Sequence, residues 1–172
     1  NTLHDLLGVQ PEVAFDLPEE VLGAGYLNSL SPLLMEQYLV ITNEALSRAL
    51  APEDAPPNAL QKELFGPTPA AGTNARDAAR VAARSLARKA FRRPASESEL
   101  AVLMNVFDLA IADQRSYLGA LRMVLKAALV SPQFLFITPA VEPEPGKDIM
   151  PVDDYQLACR LSYLIWATMP DP

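Results

Sequence analysis

The sequence predicts an all-α protein: about five to six amphipathic helices in an irregular bundle, joined by Pro-rich linkers. Three observations carry this. Apolar residues recur at three- and four-residue spacing through each long patterned stretch, as one buried helix side requires. The 16 prolines fall almost entirely between those stretches, where they stop helices or occupy a first turn. No segment alternates with period two over a strand's length beside turn signals.

Residues 1–7 read as a helix tail, with Gly8 as the left-handed cap that ends it. Residues 10–30, which carry Pro11, Pro18, Gly23 and Gly25, read as irregular. Ser31-Pro32 starts a long helix, serine capping and proline at the first helical position. Its wide apolar face is Leu34, Met35, Tyr38, Leu39, Ile41, Ala45, Leu46 and Leu50. Residues 51–72 hold five prolines and read as a surface linker with one short helical turn at Ala59–Phe65. A second long helix runs from about Asn74 to Phe91. Its inner side is mostly alanine (Ala79, Ala82, Ala83, Leu86, Ala90), which lets another helix approach closely. Arg92-Arg93-Pro94 ends it, and Ser96 with Glu99 forms the capping box of the next, which carries Leu100, Leu103, Met104, Phe107 and Ile111 inward.

Ser116 caps the following helix, whose inner residues are Leu118, Leu121, Leu125, Ala128 and Leu129, and Ser131-Pro132 stops it. Only Ala112–Arg115 separate these two apolar stripes, so they should form an antiparallel hairpin. Phe134–Ile137 either extends across the bundle or makes one more turn. After a Pro/Glu-rich linker, Asp153 caps a last helix with Leu157, Leu161, Leu164 and Ile165 on one face, ending at Pro170.

Composition narrows the function classes. At 172 residues the chain can bury one sizeable core or two small helical lobes. A net charge of −7 argues against non-specific nucleic-acid binding, which needs basic surface to displace phosphate counterions. A single cysteine, Cys159, and a single histidine, His4, leave no internal disulfide framework and no Cys- or His-rich metal site in the sequence. The uncharged run from Ala127 to Val141 is 15 residues long and broken by prolines, too short to span a bilayer. The chain opens inside a helical pattern without methionine and stops soon after another, so it is expected to be a piece of a larger polypeptide.

Three strings then fall in a familiar order. The first is Asn1-Thr2-Leu3-His4-Asp5-Leu6-Leu7-Gly8-Val9 with Leu30-Ser31-Pro32-Leu33-Leu34-Met35-Glu36-Gln37-Tyr38-Leu39. The second is Ala87-Arg88-Lys89-Ala90-Phe91-Arg92-Arg93-Pro94 leading to Leu129-Val130-Ser131-Pro132-Gln133-Phe134-Leu135-Phe136. The third is Asp153-Asp154-Tyr155-Gln156-Leu157-Ala158-Cys159-Arg160-Leu161-Ser162-Tyr163-Leu164-Ile165-Trp166. Together they resemble domains of unknown function fifteen-eighty-seven, fifteen-ninety-five and the start of fifteen-ninety-two, which recur in that order in large proteins of planctomycetes and myxobacteria. The resemblance divides the chain into a first module (1–50, N-terminally incomplete), a linker (51–73), a three-helix module (74–138), a second linker (139–151) and the first helix of a third module (152–172). It implies an exported, periplasmic or extracellular, multi-domain protein associated with c-type cytochromes. It supplies no reaction and no catalytic residues. The Cys-x-x-Cys-His haem-attachment motif is lacking here, and no cofactor is assigned to this chain.

Candidate sites are few. His4-Asp5 has the residue types of a base and its orienting acid, but neighbours on a helix point about 100° apart, and an ordinary helix-face histidine is the simpler reading. Asp153-Asp154 could offer oxygens to calcium, yet two acids at a helix start are what capping and the helix dipole favour. Cys159, beside Arg160, reads as a buried small residue among apolar neighbours. The one unusual feature is basic: Arg76, Arg80, Arg84 and Arg88 repeat every four residues, followed by Lys89, Arg92 and Arg93. Half of the 14 basic residues thus lie on one helix and its exit. This stripe is either a docking face or a set of ion pairs to Glu97, Glu99 and Asp108 on the next helix. With no catalytic constellation in the sequence, the leading reading is a non-enzymatic structural or docking module of an exported assembly. The alternatives are part of an exported electron-transfer or oxidoreductase complex whose chemistry lies outside this chain, and a module binding anionic polysaccharide. The partners expected are other domains or chains of the same exported protein, and a c-type cytochrome.

Overall fold

The computed structural model of the chain describes residues 1–10, 12, 32–70, 74–139 and 151–170. Eight α-helices occupy them, and the described residues contain no strand. They are α1 (Thr2–Leu7), α2 (Pro32–Ala49), α3 (Ala59–Phe65), α4 (Ala75–Phe91), α5 (Glu97–Ala112), α6 (Tyr117–Leu129), α7 (Pro132–Leu135) and α8 (Asp154–Trp166). The count exceeds five to six because two short pieces, α3 and α7, are helical in their own right. The Ser31 cap, most of the stretch 10–30 and most of the linker 139–151 lie outside the described residues.

Helix ends follow local chemistry. Gly8, at φ 69°, gives α1 the left-handed exit that a side chain would resist. At α5, the Glu99 N–H donates to Ser96 Oγ and the Ser96 N–H to the Glu99 carboxylate, a complete capping box. Asn58 with Gln61 and Asp153 with Gln156 build the same device at α3 and α8.

The core is a three-helix unit of α4, α5 and α6, with α3 and α7 against α4, and α2 against α6. Alanines make that closeness possible: Ala79, Ala83, Ala87 and Ala90 of α4 and Ala120 and Ala128 of α6 are fully buried. Leu86, Leu100, Met104, Leu121, Leu125 and Leu129 fill the space between them. α5 and α6 pair as the expected hairpin, and at its turn the rings of Phe107 and Tyr117 meet edge to face at 5.9 Å.

Three expectations are corrected. Ile111 is exposed, because Ala110 takes the last inward position of α5 and Ile111 lies about 100° further round the helix. On α2 only the second half of the predicted face, from Ile41 onward, is buried; Leu39 is exposed. The segment 51–72 is not merely a surface linker: α3 inserts Leu64 and Phe65 into the core between its flanking prolines. On α8, Leu157, Leu161, Leu164 and Ile165 share one face as expected and point outward, and Gln156, Cys159 and Ser162 are the residues the helix buries.

Candidate interaction surface

α4 places its arginines one turn apart along one flank of its alanine side, so they drift slowly around one edge of the helix. α5 lies along that edge and supplies the acids. Arg76 forks onto Asp108, with Nε to Oδ1 and Nη2 to Oδ2 both 2.9 Å. Arg80 and Arg84 share Glu97, at 2.5 and 2.7 Å, and Lys89 reaches Glu63 of α3 at 2.9 Å. Arg88 is exposed and has no ion pair among the described residues. These pairs are solvent-exposed, so each is worth little individually. Collectively they engage most of the stripe's charge within the fold.

The last two basic residues behave differently. Arg93 is 5% exposed and forks onto Glu99 at 2.6 and 2.9 Å, while also donating to the Pro94 carbonyl and the Thr138 hydroxyl. The Arg93 guanidinium, helped by the Ser96 N–H, holds the Glu99 carboxyl below its ordinary pKa, against the opposing effect of burial. Arg92 caps α4 in the left-handed region at φ 58°, where glycine is the usual occupant. Its guanidinium donates to the carbonyls of Gln133, Phe134 and Phe136, satisfying the end of α7, and to the Tyr163 hydroxyl of α8 at 3.2 Å. It also lies 5.8 Å from the ring centres of both Phe134 and Tyr163, a distance for cation–π attraction.

α1 and the C-terminal end of α8 meet close by. His4 Nδ1 is 3.0 Å from the Val9 carbonyl; a carbonyl only accepts, so that nitrogen carries the proton. Asp5 turns away from His4 and accepts from the Thr168 hydroxyl (2.6 Å) and the Met169 N–H (3.0 Å), beyond α8. Burial pushes its carboxyl pKa up, but these two donors outweigh it and the net shift is downward. Thr2 shares a 2.8 Å hydrogen bond with the Tyr163 hydroxyl. Asp153 caps α8 through the Gln156 N–H at 2.8 Å, with Asp154 in the first helical turn. Cys159 is buried, and burial pushes its thiol pKa up, away from the reactive thiolate. No group of three or more His, Cys, Asp or Glu side chains among the described residues is placed to hold a metal ion. No helix among them is long and apolar enough to cross a membrane.

What sequence reasoning missed is the outward face of α8. Leu157, Leu161 and Leu164 follow a four–three spacing with Ile165 beside them, and Leu164 is 81% exposed. The periodicity was the available signal; it announced a stripe that seeks cover, and it carried no information on what provides it. An acidic groove of about 380 Å³ along α2, lined by Glu12, Glu36, Gln37 and Glu44, is the other concavity of note, and there Arg48 is already paired with Glu44.

Two stretches of the chain match known families. Residues 1–51 match the family described as Protein of unknown function (DUF1587), and residues 78–138 match the one described as Protein of unknown function (DUF1595). The chain is therefore similar, in this order, to two domain-of-unknown-function families. No curated protein and no solved structure matches it.

Proposed function

We propose that this chain is a non-enzymatic helical docking module of a larger exported bacterial assembly, and that its docking element is the outer face of α8. The observation that carries the reading is the solvent-facing row Leu157, Leu161, Leu164 and Ile165. It presents on the order of 400 Å² of apolar surface, as much as the largest such patch on an ordinary monomer. That is enough for the core of a standard interface, with a polar rim around it.

The occupant is an amphipathic helix of another domain or chain of the same assembly. A four–three spacing is the seam that a second helix packs against, ridge into groove. The match of residues 1–51 and 78–138 to two separate families supports a protein built from modules that must meet one another. The exported setting, the third, fifteen-ninety-two-like segment at 152–172 and a c-type cytochrome neighbour rest on the resemblance of the sequence strings. An anionic-polysaccharide role for Arg76, Arg80, Arg84, Arg88, Lys89, Arg92 and Arg93 has less support, because all but Arg88 already have partners within the fold.

The test is photo-crosslinking in the native host. A benzophenone amino acid at Leu161 or Leu164 should capture a helical segment of a neighbouring domain or co-exported chain, identified by mass spectrometry. The same probe at Leu109, an exposed apolar residue on α5, should not. Equal capture at all three positions, or none at any, would overturn the assignment.

A further inference from the structure

α8 is attached to the molecule unlike any other long helix. α6 buries seven residues, Leu121, Val124, Leu125 and Leu129 among them, whereas α8 buries Gln156, Cys159 and Ser162, small or polar groups with little apolar area. No other helix among the described residues makes extensive backbone contact with it. What holds it is a set of long-range polar bonds at its C-terminal half. Tyr163 is held by Thr2 and Arg92, Thr168 and Met169 by Asp5, and the Ala167 carbonyl accepts from Asn1 Nδ2 at 2.6 Å. All these partners sit on α1 and its first residue or at the exit of α4.

We infer that α8 is a latched arm: it opens from the α1–α7 bundle as a unit when the bonds around Tyr163 and Asp5 break, and the closed latch fixes the direction in which its outer face points. The physical ground is the kind of interaction lost on opening. Water replaces each polar bond, so the net contribution of each is modest, whereas separating any pair among α4, α5 and α6 would expose packed leucines and alanines. Elements with few buried apolar contacts form the low-stability end of a fold and open without global unfolding. Tyr163 is the pivot, because its single hydroxyl joins α8 to both α1 and the α4 exit. This inference rests on α8 being the docking element, since a joint between bundle and partner is what gives the latch its use.

Cys159 is a built-in reporter, buried on the inner side of α8 and the single cysteine of the chain. In the full chain without any partner, its reaction with a maleimide should be followed across low urea concentrations, beside the bundle's unfolding by circular dichroism. The wild-type rate should be nearly independent of urea well below the unfolding transition, as local opening requires. Tyr163→Phe keeps the ring beside Arg92 but removes the hydroxyl, and should speed labelling about tenfold while leaving the main transition in place. Asp5→Asn, at the other end of the latch, should do the same and guards against a local packing fault at Tyr163. Labelling that follows global unfolding at every urea concentration, or at the wild-type rate in both variants, would overturn the inference. Because no partner is present, fast labelling combined with failed crosslinking at Leu164 would remove the docking reading and leave the latch standing.

Discussion

Arg93→Ala should be among the most damaging single changes to this fold, although the residue belongs to a run of surface-looking charges. The side chains of Arg93 and Glu99 are 5% and 17% exposed, against 40% and 69% for Arg80 and Glu97 one helix edge away. Removing the guanidinium deletes both bonds to Glu99 and those to Pro94 and Thr138, and leaves a carboxylate largely shielded from water without its counter-charge. Breaking a buried pair in this way costs about 3–5 kcal/mol, while loss of an exposed pair such as Arg80–Glu97 stays within about 1 kcal/mol. For a chain of this size the larger figure lowers the melting midpoint by about 10 °C. Urea unfolding followed by circular dichroism at 222 nm measures both variants. Installing Arg93→Ala on a Glu99→Gln background should cost markedly less, because the stranded charge is then gone. An Arg93→Ala cost no greater than that of Arg80→Ala, or full additivity with Glu99→Gln, would refute the reasoning.

Three further outcomes follow from the same structure. Leu125→Ala should cost about 2–5 kcal/mol through the cavity it leaves, whereas Leu164→Ala, on the outer face of α8, should stay within about 0.5 kcal/mol; chemical denaturation of both checks this. Glu99 has a lowered folded-state pKa, so its contribution is complete above the ordinary carboxylate range and is lost as pH falls through the folded value. Wild-type stability should therefore drop on acidification below about pH 4.5 more steeply than that of Glu99→Gln, measured by the unfolding midpoint against pH. Gly119→Ala places a Cβ 2.8 Å from Glu53 Oε2, the tip of a half-exposed side chain paired with Arg115, which can swing away. The helix-propensity gain of up to about 1 kcal/mol and the lost surface pair then offset each other, and a measured loss above about 1.5 kcal/mol would show that Glu53 cannot move.

Local chemistry was legible in the sequence and distant chemistry was not. Gly8, Ser96 with Glu99, Ser116 and Asp153 each sit where they were expected, because a cap is decided within four residues. The alanine side of α4 and the bounds of α3 were readable for the same reason. The acids opposite the arginine stripe were readable too, since Glu97 and Asp108 lie on the next helix of a closely connected pair. Proline density hid the burial of Leu64 and Phe65, because prolines mark where a helix stops and say nothing about where its short apolar side goes. The latch could not be seen at all: Asp5 and Thr168, or Arg92 and Tyr163, are ordinary residues until the fold brings them together across 163 and 71 positions.

The orientation of α8 shows why an amphipathic pattern and an inward face are separate claims. Periodicity states that one side of a helix is more stable out of water. It fixes the side, and the burial of that side depends on which surfaces are within reach. The bundle already has its own leucines and alanines in contact, and the surface left at the α1 and α4 ends is polar: Thr2, Asp5 and Arg92. Against that surface, Tyr163 and the groups just beyond the helix can form bonds that Leu161 and Leu164 cannot, so α8 docks by its polar side. The apolar stripe is left facing solvent as a consequence of that choice. A helix oriented by its polar contacts and exposed along its apolar ones has the two faces of a joint, one for the bundle and one for whatever packs on it. Making the outer face polar, with Leu161→Gln and Leu164→Gln, should accordingly leave the bundle's stability and the labelling rate of Cys159 as they are and abolish only the contacts made from that face; a fall in bundle stability would mean that the stripe belongs to the core after all.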